Sequence, residues 1–386
     1  MEDMLEARIN GQVLRWARER RAWDYDKVVK STKISADLLQ KWEDGLAYPP
    51  FGKAELLAAT LKVPFGFLFL SKPPHDASPI SDFRTVKGKR PEKASPDLLS
   101  IINQARIRQD WYREFSEGNG ASPLAMVGAF SLESGVEAVA ADICATLAIT
   151  EETRLQADSH AAFLSRLSEA AQDAGVLVMR SGIVGAGNSN RLSVSEFRGF
   201  ALTDPYAPLI FINSRDAYSA QVFTLVHELA HIWINRSGIS NPDPTEDVHD
   251  GVERFCNRVA AEVLVPKAEF LEAWVGLREK QLFPSVISRQ FWVSPLVVIV
   301  RAYETGKISD SEFSRLTKIQ KNKKVVPRKS KGGNPIRTML ARNGRRLTTG
   351  VLSAVRESRL VFRDAEHILG VRSGGLATLI RKNIGR

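Results

Sequence analysis

Cysteine is scarce in this chain: Cys144 and Cys256 are the two among 386 residues. Two cysteines cannot form the framework of a disulfide-rich secreted domain, which predicts a reducing compartment. No apolar run approaches the ~18 residues that a membrane-spanning helix needs. The N-terminal stretch MEDMLEARIN is charged from its second residue and lacks the apolar core of a signal peptide. These absences predict a cytoplasmic protein with no membrane partner.

The composition is otherwise that of an ordinary globular protein with a basic charge balance. Hydrophobic residues make up 44% of the chain and charged residues 25%, and the length allows two or three domains. Lysine and arginine outnumber the acids by 54 to 44, which gives a net charge of +10 and an isoelectric point near 9.6. A charge of this sign favours a polyanionic partner and says nothing about the fold.

Histidine is also rare, with six in the chain, yet two of them stand four residues apart in one apolar segment. Val222–Asn235 reads VFTLVHELAHIWIN, and it predicts a buried helix with His227 and His231 one above the other on the same face. That spacing lets both imidazoles reach one metal ion. Glu228 lies about 100° further round the helix, where it can touch a water on the ion and act as general base. The alternative is a chance pair of core histidines.

The downstream sequence determines which third ligand such a site has. A metzincin pattern would require glycine and histidine where the chain has Ile234 and Ser237, so that type is excluded. A gluzincin-like site takes a glutamate from a second helix, and the amphipathic run GVERFCNRVAAEVLVP (251–266) supplies one. We predict that Glu253 is the third ligand and that Asn257 supports a ligand histidine by hydrogen bonding to its ring N–H. Three protein ligands leave one position for water, which is typical of catalytic zinc.

Alternatives remain open around this predicted zinc site. The acidic loop 243–250 offers Glu246 and His249 as other ligands, although a loop histidine beside acids is more often simply solvated. The group that would stabilise a developing oxyanion is not identified, and the candidates are Arg198, Tyr218, His249 and Arg258.

The segments FTLVHELAHIWI and ERFCNRVAAEVLVP resemble the ImmA/IrrE family of zinc metallopeptidases, whose pattern is FTLxHExxH followed by ExxxNxxAAxxLxP. The stretches EFRGFAL and APLIFIN resemble the small sheet that precedes the family's active-site helix, and the resemblance covers roughly residues 130–310. It implies a mainly helical α+β fold with a zincin-like, gluzincin-type core. It also implies cleavage of a transcriptional repressor, in a stress, mobile-element, toxin–antitoxin or defence setting.

Residues 8–70 are predicted to form five short helices. Two of them flank a short turn, and the second has Ser35 as N-cap and Gly45 after its end, a pattern typical of a helix-turn-helix. The segment resembles the XRE/Cro-like helix-turn-helix domain, most specifically at KWEDG. The resemblance implies base contacts by the start of the second helix and phosphate contacts by flanking lysines. The residues concerned are Ser35, Ala36, Asp37 and Gln40 for bases, and Lys33 and Lys41 for phosphates. The alternative is a module for dimerisation or partner binding, which the acidic Asp37 favours.

The remaining segments complete the predicted domain organisation. Residues 1–72 are the helix-turn-helix domain, 73–129 a linker and connecting helix, 130–317 the peptidase domain, and 318–386 a basic linker with a small helical domain. Between Lys318 and Arg346 there are eleven lysines and arginines and no acid, which indicates either a solvated linker or a contact with nucleic-acid phosphates.

The sequence therefore predicts a zinc-dependent endopeptidase that cleaves a partner protein and binds double-stranded DNA, associates with the nucleoid when DNA-bound, and forms a homodimer as one option. The main alternative is a DNA-binding regulator whose zincin domain senses or binds a partner without turnover. A plain repressor that happens to contain H-E-x-x-H would leave Glu253 and Asn257 unexplained.

Overall fold

A computed structural model of the protein describes residues 6–21, 23–61, 63–73, 94–185, 191–240, 251–277, 279, 282–322, 335–371 and 375–381. The loop with Glu246 and His249, and much of the basic segment, lie outside these residues. The chain forms two compact units: Met1–Ser81 with Pro91–Ser100, and Asp82–Arg90 with Ile101–Arg386.

The N-terminal unit is helical and has its own apolar core. Its helices are α1 (Gly11–Arg20), α2 (Tyr25–Thr32), α3 (Ala36–Glu43), α4 (Phe51–Leu61) and a short 3-10 helix (Phe65–Phe69), followed by the start of α5 (Pro96–Gly118). Side chains from the first four helices and from Leu68 of the 3-10 helix meet in one cluster. Ser35 caps α3 by accepting a hydrogen bond from the Leu38 N–H, as predicted. The five predicted short helices are confirmed.

A buried carboxylate joins the first three helices of this unit. Glu43, at the end of α3, accepts two hydrogen bonds from the Arg18 guanidinium at 2.7 and 2.8 Å and one from the Tyr25 hydroxyl at 2.9 Å. Gly11 allows the close approach of α1 to α3, since a Cβ there would lie 2.4 Å from the backbone oxygens of Trp42 and Glu43. The KWEDG motif therefore has a structural role in this unit.

The second unit contains the remaining helices and the sheet. Its helices after α5 are α6 (Val136–Thr146), α7 (Glu151–Leu155), α8 (His160–Asp173), α9 (Tyr218–Trp233), α10 (Gly251–Leu264), α11 (Lys267–Gly276), α12 (Phe283–Gln290), α13 (Pro295–Glu304), α14 (Asp310–Asn322), α15 (Pro335–Asn343), α16 (Arg345–Arg356), α17 (Phe362–Leu369) and α18 (Gly375–Arg381). Among the described residues, no single helix is long and apolar enough to cross a membrane; α12 and α13 pass that test only together, and a bend of 107° separates them.

Four short strands form one mixed sheet. They are β1 (Leu177–Ser181), β2 (Gly199–Leu202), β3 (Leu209–Asn213) and β4 (Gly238–Ser240), in the order β1-β3-β2-β4. β1 and β3 are parallel, and β2 runs antiparallel to both of its neighbours. β2 begins at Gly199, and its partners are β3 and β4. The fold is mainly helical with a small sheet, which agrees with the α+β prediction.

Helix α9 lies at the centre of this unit. Thirteen of its sixteen residues are buried, and it packs against α6, α8, α10 and the strands β2 and β3. A helix that is apolar on nearly every side must be enclosed in this way. The predicted active-site helix is therefore enclosed by the core on nearly every side.

The C-terminal helices belong to the same compact unit as the sheet. Helix α15 packs along β1, and α16 packs on α8. Asn343 donates a hydrogen bond to the Leu369 carbonyl, and Arg346 donates one to that of Gln172. Helices α15 and α16 therefore pack against β1 and α8 within one compact unit, and the predicted boundary at 317/318 stays a prediction.

Candidate active site

Two neighbouring helices bring the three predicted ligands together. His227 and His231 lie four residues apart on one face of α9, and Glu253 lies in the first turn of α10. The apolar faces of these helices pack against each other through residues such as Val226, Cys256 and Ala260. The polar group is consequently held inside the core, with exposed fractions of 0% for His227, 2% for His231 and 6% for Glu253.

The three side chains form a tight triangle of possible ligand atoms. The two histidine Nε2 atoms are 3.1 Å apart, and each lies 3.2 Å from a different oxygen of Glu253. For tetrahedral zinc with ligands at ~2.0–2.1 Å, neighbouring ligand atoms would be about 3.3 Å apart. The spacing and the chemistry of this donor set therefore fit a metal ion, and the group could hold one.

The charges within the triangle are strongly coupled. Burial lowers the pKa of His227. Burial also acts to lower the pKa of His231, but the adjacent Cys256 and Glu253 raise it well above its usual value. Burial alone would raise the pKa of Glu253, yet its contacts with the two imidazoles hold it well below its usual range. In the absence of a cation, a proton on the imidazoles, favoured at His231, stabilises the negative charge of Glu253. A metal ion would take the place of that proton.

Glu228 lies beside this triangle in a fully buried position. Burial raises the pKa of Glu228 to about 8, and the negative charge of Glu253 acts in the same direction. The Ser240 hydroxyl lies close enough to oppose this rise, but neither carboxylate oxygen makes a hydrogen bond of normal geometry. Glu228 is thus a buried carboxyl group whose pKa is raised to near neutrality, the range in which a side chain serves best as a general acid and base.

Gly199 provides the space that the Glu228 carboxylate occupies. A Cβ at Gly199 would lie 2.6 Å from the Thr224 side chain and 3.0 Å from both Glu228 Oε1 and the Phe211 carbonyl oxygen. Gly199 pairs with Ser240 across β2 and β4, so both residues adjoin this carboxylate. The sequence alone does not predict either role. Gly199 stands in a segment recognised only as a strand, and β4 is too short to give a strand signal.

We expect Gly199→Ala to destabilise the second unit by about 1–3 kcal/mol, because overpacking a filled core forces its neighbours to shift. The measurement is the urea dependence of unfolding, with Gly276→Ala as the matched control, because nothing lies within 4 Å of a Cβ there. Equal free energies of unfolding for the two variants would show that the space beside Gly199 is not needed for the packing around Glu228.

The outer ring nitrogens of both histidines lack well-formed hydrogen bonds. Asn257 lies close to His227, and its influence raises the pKa of that histidine; the Cys256 thiol adjoins His231 in the same way. The Asn257 Oδ1 atom is itself buried without a partner of normal geometry, as are both Nδ1 atoms. Asn257 therefore lies next to a ligand histidine, and its role in supporting that histidine stays a prediction.

The role of stabilising an oxyanion, suggested for four residues, stays a prediction. Tyr218 begins α9, nine residues before His227, which is about 13 Å along a helix axis. Arg258 is exposed on α10, and Arg198 lies 3.4 Å from Asp216. His249 lies outside the described residues.

The predicted DNA-contacting residues share one exposed region of the N-terminal unit. All six, from Lys33 to Lys41, are solvent-exposed around the turn between α2 and α3 and along α3. Lys33 adopts a left-handed backbone conformation at the end of α2. Lys41 pairs with Asp37 at 2.9 Å, one turn apart on α3, so part of its charge is neutralised locally.

Comparison with known proteins agrees with this site. Residues 171–303 match the Peptidase_M78 family model, described as an IrrE N-terminal-like domain. This range contains the four strands, α9 and α10. The match supports the resemblance to the ImmA/IrrE family and a metallopeptidase-like function. No curated protein and no solved structure matches the chain.

Proposed function

We propose that the protein is a zinc-dependent endopeptidase that cleaves a partner protein, most specifically a transcriptional repressor, and that its N-terminal unit binds double-stranded DNA. The observation that carries the peptidase part is the buried triangle of His227, His231 and Glu253, with Glu228 beside it. The family-model match over the same residues supports it. Repressor cleavage in a stress, mobile-element, toxin–antitoxin or defence setting follows from the family resemblance alone.

In this proposal His227, His231 and Glu253 hold Zn²⁺, which when bound would acidify water and polarise a peptide carbonyl. Glu228 takes the proton from the attacking water and later returns it to the leaving amine. The buried, weakly hydrogen-bonded carboxylate suits this exchange, because few existing bonds have to break when it gains or loses a proton. Asn257 restrains the ring of His227.

The peptidase proposal is tested by incubating zinc-loaded protein with a cell extract of its source organism and identifying new protein N-termini. We expect a small set of specific cleavages that disappear when zinc is removed with a chelator and return when it is restored. Cleavage products that are identical with and without zinc would contradict the proposal.

A second candidate is a DNA-binding regulator whose zinc site does not turn over substrate. The observation that favours it is the burial of Glu228, which is 0% exposed, because a peptide has to reach this carboxylate. The extract experiment distinguishes the peptidase from the regulator when it is repeated with DNA bound to the protein. Cleavage that begins when DNA is added indicates a peptidase that opens on binding, whereas full zinc content without any cleavage indicates the regulator.

DNA binding is supported by the exposure of the α2–α3 region and by its resemblance to the helix-turn-helix. Gln40 projects from the exposed face of α3, where an amide can read an adenine edge, and Lys33 lies in the preceding turn. The chain's charge of +10 also favours a polyanion. Phosphate contact by the basic segment 318–346 is a further part of this proposal.

After selection of a binding site from random DNA, we expect Gln40→Ala to weaken binding to that site by about 1–3 kcal/mol and to relax its sequence preference. Lys33→Ala should weaken binding to all sequences alike. It should also reduce the slope of log K against log salt concentration by about one. Lys53→Ala, an exposed lysine on α4, is the matched control. If all three variants bind like the parent, the unit contacts a different partner.

A further inference from the structure

A cleft on the second unit lies apart from the triangle of ligand atoms. It is bounded by α8, β1, α15 and α16, with aromatic side chains of α5 along one wall, and its volume is about 910 Å³. Clefts of about 300–1,000 Å³ are the usual size for small-molecule sites. Neither the peptidase mechanism nor the DNA contacts use it.

The lining of this cleft is positively charged. Four arginines line it, against two acidic residues, Glu169 and Asp173. Arg345 pairs with Asp173, and Arg346 donates to the Gln172 carbonyl and lies over the Tyr112 ring. Those contacts restrain Arg345 and Arg346, and Arg337 makes interactions of its own. Arg180 and Arg337 lie on β1 and α15.

Arg180 is the most informative of these residues. It sits on a strand that is otherwise buried, and it faces the cleft together with Val178, two residues earlier on the same side of β1. Within the described part of the chain, no hydrogen bond or ion pair involves its guanidinium, and only Tyr218 stabilises its charge. A half-buried guanidinium without a counter-ion is costly. An anion in the cleft would supply the missing partner.

The start of α16 adds a second feature that favours an anion. Gly344, Arg345 and Arg346 form the N-terminal turn of this twelve-residue helix and line the cleft, and the Arg346 N–H of this turn already donates a hydrogen bond to the Gln172 side-chain oxygen. The amino end of a helix carries partial positive charge and suits phosphate groups. Arginine, with its planar fork of donors, suits phosphate oxygens equally well.

We propose that this cleft binds a small phosphate-bearing ligand, with the Arg180 guanidinium holding a phosphate group near the start of α16. The shared chemistry is a phosphate or pyrophosphate group, which an inorganic anion or a nucleotide could supply. The site is distinct from the triangle of possible metal ligands and from the α2–α3 region.

The test is isothermal titration of the full-length, zinc-loaded protein with inorganic pyrophosphate and, separately, with ATP, at fixed salt and magnesium. We expect saturable binding of at least one of them, and a Kd that rises about tenfold or more in Arg180→Gln, as loss of one charge-assisted hydrogen bond implies. Arg337 is exposed, so its replacement by glutamine should not impair folding, and we expect Arg337→Gln to raise the Kd several-fold. Tighter binding of ATP would identify a nucleotide site, and equal binding a site for the anion alone.

Arg356→Gln is the matched control, because Arg356 is exposed on the same helix α16 but does not line the cleft. Its Kd should not change. Heat from zinc extraction by the probes would be identical in all variants and so cannot imitate the expected pattern. Equal weakening by Arg356→Gln and Arg180→Gln, tighter binding of citrate than of pyrophosphate, or no saturable binding would overturn the proposal.

Discussion

Replacing Glu228 with glutamine should lower the rate of substrate cleavage by a factor of about 10²–10⁴, the range that general acid–base catalysis contributes. The amide has nearly the same shape as the carboxylate but cannot take a proton from water. Because Glu228 is not one of the three predicted ligands, its replacement should leave the metal content unchanged. The measurement is the cleavage rate of a protein substrate recovered from the extract experiment, at matched zinc occupancy.

Glu272→Gln is the control for this prediction, because it makes the same chemical change at an exposed position on α11. It should cleave at the parent rate. Equal rates for Glu228→Gln and the parent would rule out Glu228 as general base, whatever the metal content. A loss of zinc in Glu228→Gln would instead place this residue among the ligands.

The second large effect concerns stability. Glu43→Ala should destabilise the N-terminal unit by about 3–5 kcal/mol, as removal of one partner from a buried ion pair does. The side chain of Glu43 is 1% exposed, and that of its partner Arg18 is 11% exposed, so the substitution leaves a buried guanidinium without its carboxylate. Hydrogen exchange of peptides from residues 11–61 measures this unit separately from the rest of the chain.

Asp44 provides a close comparison, one residue further along. It pairs with Arg15, but both side chains are substantially exposed. Asp44→Ala should therefore cost no more than about 1 kcal/mol. Similar protection losses in Glu43→Ala and Asp44→Ala would mean that the Glu43 cluster does not hold α1, α2 and α3 together.

The helices of the site could be predicted from the sequence because their signals are local. The spacing of His227 and His231, and the amphipathic run around Glu253, each depend on the helical period alone. That the two helices meet follows only from the resemblance to a known family pattern. The structure places the three side chains within one triangle of 3.1–3.2 Å.

The surroundings of Glu228 depend on long-range strand pairing and could not be predicted in this way. Gly199 and Ser240 meet through the β2–β4 register, forty-one residues apart, and a three-residue strand gives no periodic signal. The packing of α15 and α16 on β1 and α8 was missed for the same reason, since it joins residues more than 150 positions apart. The cleft around Arg180 follows from that packing.

The central claim is that His227, His231 and Glu253 bind one zinc ion, and metal content tests it most directly. Elemental mass spectrometry should find close to one zinc ion per chain in protein purified without added metal. His227→Ala and Glu253→Ala should both lose it, whereas Glu272→Ala should keep it. Zinc retained in Glu253→Ala would mean that another residue is the third ligand, with Glu246 and His249 next to be tested. Parent protein that contains no zinc and takes up none would contradict the account.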